Sequence, residues 1–191
     1  MREIPYDRAS AVAYARKWAM DRNPAYYDFE EIGGDCTNFA SQCIFAGSRI
    51  MNYTPTLGWY YRSSYDRSPS WSGVQYLYEF LIKNTSVGPF ARVISADEAE
   101  PGDIVQLGTA NGHFYHSPVI TSISPQILVA AHTFDALDRP LSSYIYDTER
   151  FIHMEGVRVW YAPLLSRRFI QRKRRGRILF FFILYIFLIT F

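Results

Sequence analysis

The sequence predicts an α+β domain, and three observations carry that expectation. Up to about residue 83 the apolar positions recur at helical spacing, as in Val74, Leu77, Tyr78 and Leu81. From Gly88 onward short apolar runs bounded by turn residues take over, for instance Asp103-Ile104-Val105-Gln106-Leu107 after Pro101-Gly102. Helices first and strands after is the order of an α+β chain, and 191 residues are enough to bury a core without disulfides.

The first helix is expected from Asp7 to about Arg22, with Asp7 as its cap, good helix formers at residues 9–15, and Asn23-Pro24 as its stop. A second begins at Cys36, after Gly33-Gly34-Asp35, and runs to Gly47 as a C′ residue. Residues 52–70 are aromatic, Ser-rich and too long for a simple turn, which marks a functional loop. Within and after it, Trp59, Tyr60, Tyr61 and Trp71 fit two readings, the lining of a substrate groove or a satellite core under the loop. A third helix is expected from Ser70 or Trp71 to Lys83. Strands follow at Ala91–Ile94, Asp103–Leu107, His116–Ile123, Ile127–His132 and Phe151–Trp160.

Cys36 is the chemically pointed residue. In a first helical turn the unpaired backbone N–H groups and the positive end of the macrodipole favour a thiolate, which is the nucleophilic form. Its apparent pKa is therefore expected below the ordinary value of about 8.5. Cys43, seven residues on in Cys43-Ile44-Phe45-Ala46, has the setting of an inert core thiol. Asp35 beside the nucleophile either opposes ionisation or caps the helix with its carboxylate. His116 and His132 lie at the ends of neighbouring predicted strands, where two imidazoles can face one side of a sheet. His113 reads as a rim residue and His153 as structural. No CxxC, HxxxH or HExxH spacing points to a metal, and no Gly-rich phosphate loop is present.

Four blocks, Gly33–Gln42, Gly102–Gln106, His116–Ile120 and Ala130–Asp135, occur in an order that resembles the bacterial putative amidase domain family. That family is placed here within the papain-like cysteine hydrolases that include the NlpC and CHAP cell-wall enzymes. The resemblance runs from about Tyr6 to about Glu155. It implies a papain-like core, with the nucleophile helix packed on an antiparallel sheet, and a cofactor-free amidohydrolase or peptidase that works through an acyl-enzyme. It assigns Cys36 as nucleophile, His116 as base and His132 as the residue that orients the base, with Asp135 as the other candidate for that third place. Trp59, Tyr60 and Trp71 are the expected substrate contacts, and peptides of the cell-wall type the expected substrates. The alternative is a non-catalytic module that binds peptide or glycan and is held at a membrane by its tail.

The net charge of +2 hides an asymmetry: residues 167–191 hold seven basic residues and no acid, leaving residues 1–166 at −5. An acidic domain is a poor partner for nucleic acid. The domain is therefore expected at 1–166, with 167–191 a basic and apolar tail. Its last 14 residues, Ile178–Phe191, are short of the roughly 20 that a spanning helix needs, so the tail reads as a surface anchor or as a non-selected extension. Met1–Asp7 has no apolar signal region, so a cytoplasmic or membrane-associated location is expected.

Overall fold

In the computed structural model, which describes residues 1–161, the chain is α+β as expected. β1 (Arg2–Ile4) precedes α1 (Arg8–Trp18), α2 (Cys36–Ser48), α3 (Pro69–Ser72) and α4 (Val74–Lys83). The strands β2 (Gly88–Ile94), β3 (Ile104–Gly108), β4 (Phe114–His116), β5 (Val119–Ser122), β6 (Leu128–Ala131), β7 (Ala136–Pro140) and β8 (Thr148–Val159) follow. The described strands form one antiparallel sheet in the order β1-β8-β3-β5-β6-β7, with β2 added to β8 and β4 to β3. The 1–166 domain boundary and the tail lie outside the described residues. No helix among the described residues is long and apolar enough to cross a membrane.

Local signals set the helix starts. Asp7 accepts the Ser10 N–H at 3.0 Å and caps α1. Gly33 and Gly34 take φ of 131° and 92°, the left-handed turn that lets α2 begin at Cys36. The helix ends are tertiary. α1 stops at Trp18 rather than Arg22, because the Trp18 carbonyl faces His132 Nε2 at 2.8 Å instead of continuing the helical ladder. Gly47 is not the stop of α2; Arg49, at φ 58°, is the left-handed residue after the helix. Gly47 is inside the helix because a Cβ there would lie 2.8 Å from the Asp7 carbonyl and collide with the Tyr6 ring. The expected third helix breaks at Gly73, whose extended backbone separates α3 from α4. The predicted strand at 116–123 is likewise split at Ser117-Pro118, where proline removes a ladder donor.

Two cores flank the sheet. One joins the helices to Ile104, Val119, Ala130, Ile152 and Met154. The other gathers Val105, Leu107, Ile120, Val129 and Phe151, from the intervening strand positions, with Tyr144 packed on it. Arg8 ties α1 to the sheet through Asp103, which is buried and also meets the Met154 N–H and His153 Nδ1.

Trp59 and Trp71 are fully buried in the first core, which corrects the groove expectation for both. Trp59 Nε1 donates to Ser41 at 3.0 Å and Trp71 Nε1 to Asn38 at 2.7 Å, so each indole is satisfied by α2. Tyr60 is half-buried, with its ring 5.4 Å from that of Tyr53 and under the Arg62 guanidinium.

Candidate active site

Cys36 is the first residue of α2 and is nearly buried, 7% exposed. Its Sγ lies 3.9 Å from the Tyr115 carbonyl and 3.7 Å from Thr37 Oγ1. The backbone N–H groups of Ser117 and Thr37 act on it electrostatically. Burial nonetheless pushes the thiol up, outweighing the Thr37 hydroxyl and the two N–H groups, with Asp35 adding to the rise. The expectation of a depressed pKa is thus reversed: desolvation beats the helix start. Cys43 is completely buried, and its pKa is raised further, with no side chain opposing the shift.

His116 sits on β4 directly across from Leu107 of β3, after a register shift between Leu107 and Gly108. Directly opposed residues share a face, and Leu107 belongs to the second core. The imidazole accordingly packs against Tyr144, 5.7 Å between centroids, with Arg139 over the far ring. Burial, and then Arg139, push its pKa down to about 4. Among the described residues no hydrogen bond joins it to Cys36, so the expected thiol–imidazole pair is not assembled in this conformation. The Tyr144 hydroxyl beside it is buried and has no hydrogen-bond partner among the described residues.

His132 does not orient His116. It is 1% exposed, stacks on Phe39 and places Nδ1 2.6 Å from Asp35 Oδ2 and Nε2 2.8 Å from the Trp18 carbonyl. Both ring nitrogens are committed, leaving none for a second imidazole. Asp135 is committed too, in a two-pronged pair with Arg22 at 3.0 and 2.9 Å. His113 is exposed in the turn before β4.

Asp35 is not a side-chain cap for α2. Its buried carboxylate accepts from Phe29 N–H (2.9 Å) and Asn38 Nδ2 (2.8 Å) as well as facing His132, while its own N–H donates to Thr133 Oγ1 (2.8 Å). These bonds fix the turn from which Cys36 emerges. Reading Asp35 as a charge or as a helix cap does not lead to Thr133; a hydroxyl in a turn carries no signal of a partner almost a hundred residues away. Ser117 and Gln106 were missed as well. Both are buried on the helix face of the sheet, with Gln106 Nε2 donating to Ser117 Oγ at 3.0 Å. Among the described residues no group of three or more His, Cys, Asp or Glu side chains is arranged to hold a metal ion.

Residues 5–155 match the family model described as "Putative amidase domain". The "Uncharacterized protein YhbB" of Bacillus subtilis (strain 168) is 37% identical over 142 residues, which cover 71% of this chain and 44% of that protein. This chain therefore spans less than half the length of that relative. No solved structure matches it.

Proposed function

From the premise that the chain belongs to the putative amidase domain family, we propose that it hydrolyses amide bonds through Cys36, by a covalent acyl-enzyme on a papain-like core. One observation carries this reading: Sγ of Cys36 stands at a helix start among polar groups, with Thr37 Oγ1 at 3.7 Å and the Tyr115 carbonyl at 3.9 Å, whereas Cys43 on the same helix is sealed in the apolar core.

His116 is the proposed base. In its present packing burial and Arg139 keep it neutral but make it a weak base, with a pKa of about 4, so it accepts the thiol proton only after leaving Tyr144 and Arg139. It belongs to the Tyr115–Ser117 segment that flanks the sulfur but faces the other side of the sheet, so a change of register that turns the imidazole to the helix face is the step that assembles the pair. As the sulfur attacks, its proton passes to the imidazole and the carbonyl oxygen becomes an oxyanion near the Cys36 N–H. Collapse expels the amine, which takes the proton back from the imidazolium, and water then cleaves the thioester. His132 holds the Asp35 turn rather than the base. Peptides of the cell-wall type are the proposed substrates, and half-buried Tyr60 is the remaining candidate contact.

The test compares wild type with Cys36→Ala on amino-acid p-nitroanilides and cell-wall muropeptides, with products read by mass spectrometry. Hydrolysis by the wild type alone is the expected result; activity retained by the variant would exclude Cys36. The alternative, a peptide- or glycan-binding module, is favoured by the missing bond between Sγ and the imidazole. Stoichiometric binding of those peptides without turnover would decide for it.

A further inference from the structure

Gln106 is fully buried in the middle of β3, and its amide can sit only one way round. Arg150 of β8 donates Nε to Oε1 at 2.8 Å, with a second bond from Nη2, while Nε2 donates to the Val74 carbonyl at 2.9 Å and to Ser117 Oγ at 3.0 Å. A guanidinium only donates and a carbonyl only accepts, so both ends dictate the orientation. The Thr37 hydroxyl donates to the same Ser117 Oγ at 3.4 Å, and Thr37 Oγ1 lies 3.7 Å from Cys36 Sγ. Arg150 is itself clamped between the rings of Tyr78 (3.5 Å) and Phe114 (3.9 Å). A continuous polar line thus runs from a half-exposed arginine to the sulfur.

We infer that Thr37 and Ser117, held in place by Gln106 and Arg150, form a built-in support for the Cys36 thiolate. In the neutral state the Thr37 hydrogen is turned toward Ser117. When the thiol proton leaves, to water or to a base, the Thr37 hydroxyl turns its hydrogen onto Sγ. Ser117 keeps its Gln106 donor, and its own hydroxyl hydrogen then donates to the Thr37 oxygen. The anion then accepts from the Thr37 O–H, which is the charge-assisted kind of hydrogen bonding that counts most in a buried place. Thr37 touches the reacting atom; Gln106 and Arg150 are positioning residues.

The other charged and titratable groups around the sulfur do not supply this support. Asp35, at the start of the same helix, opposes the anion and is itself turned to His132 of β6. From β4, His116 faces Tyr144 and Arg139. The inference rests on the reading of Cys36 as nucleophile only for its use in catalysis, since thiolate formation is measured without turnover.

The experiment is alkylation of the full chain by iodoacetamide across neutral to mildly alkaline pH, with labelling of Cys36 and Cys43 followed separately by peptide mapping. Loss of one hydrogen bond to a charged group should make Thr37→Val about tenfold slower at Cys36 at each pH below the thiol pKa. Thr37→Ser should restore the wild-type profile, and Gln106→Leu and Arg150→Met should slow labelling in the same direction. Cys43, completely buried, should stay unlabelled and so reports that the fold is intact. A wild-type rate for Thr37→Val with Cys43 silent, or a failed rescue by Thr37→Ser, overturns the inference. If Thr37→Val exposes Cys43, Arg150→Met carries the decision: slower labelling supports the inference and an unchanged rate overturns it. Hydrolysis retained by Cys36→Ala, together with slow labelling of Thr37→Val, would remove Cys36 as the nucleophile and leave this inference standing.

Discussion

Replacing Asp35 with Ala should cost more stability than any other single change at the start of α2. The carboxylate is fully buried and meets three partners: Phe29 N–H at 2.9 Å, Asn38 Nδ2 at 2.8 Å and His132 Nδ1 at 2.6 Å. Asn38 Nδ2 keeps a second acceptor in the Tyr27 carbonyl at 3.1 Å, so its loss is partial. Phe29 N–H and His132 Nδ1 have no replacement among the described residues. Two orphaned buried groups at about 1–3 kcal/mol each, plus a smaller share from Asn38, give a loss of about 3–6 kcal/mol. That is a large part of the roughly 5–15 kcal/mol that holds a domain folded. Asp35→Asn keeps one carbonyl acceptor and should lose less. Urea unfolding of the full chain, followed by the fluorescence of the buried Trp59 and Trp71, measures both variants. A loss below about 1 kcal/mol for Asp35→Ala would refute the view that this carboxylate fastens the nucleophile turn.

Three further outcomes are expected. His116 has a folded-state pKa of about 4, below its ordinary value of about 6.5, so the unfolded chain takes up the proton first on acidification. Its contribution, on the order of 3 kcal/mol, is fully present above about pH 6.5 and is lost as pH falls from there to about 4. Urea unfolding at a series of pH values should therefore show a shallower acid decline for His116→Gln; parallel curves would refute the burial argument. Trp71→Phe removes the donor to Asn38 Oδ1, at 2.7 Å, and should lower stability by about 2–3 kcal/mol while leaving KM for any amide substrate unchanged. A raised KM with unchanged stability would return Trp71 to the substrate groove. Gly34→Ala puts a Cβ 3.1 Å from Thr133 Oγ1 at a residue with φ 92°, and thermal unfolding should show a loss of about 1–3 kcal/mol. An unchanged melting temperature would mean that the turn relaxes freely.

Much of the framework was legible in the chain because it depends on near neighbours. Asp7 caps α1 through a residue three positions away, and the glycines before Cys36 supply the left-handed turn that places it first in α2. Apolar runs located β3, β5, β6 and β8 to within a few residues, and the four ordered blocks pointed to the family whose model covers residues 5–155. The short strands β1 and β7 were missed. β1 holds only Arg2–Ile4 and is a strand through its pairing with Val157–Val159, and β7 contains Asp138 at φ 49° and ends at Pro140. Neither carries a periodic signal of its own.

Alone, the sequence determined the helix starts, the order of helices before strands, and which residue types stand at the candidate site. It did not determine which of them meet. One register shift between β3 and β4 turns His116 toward the second core and leaves Ser117 facing Thr37, and alternation along the segment gives no hint of the extra residue. The same separation hides from the sequence that Asp35, read as a charge beside the thiol or as a helix cap, is the partner of His132, 97 positions away. Trp59 and Trp71 read equally well as groove or core until α2 was packed over them. The direction of the Cys36 shift turned on desolvation, which no helix-start argument contains. Propensity and capping act within about a turn of chain, whereas burial, pairing and the electrostatics they control are set by segments that only folding brings together.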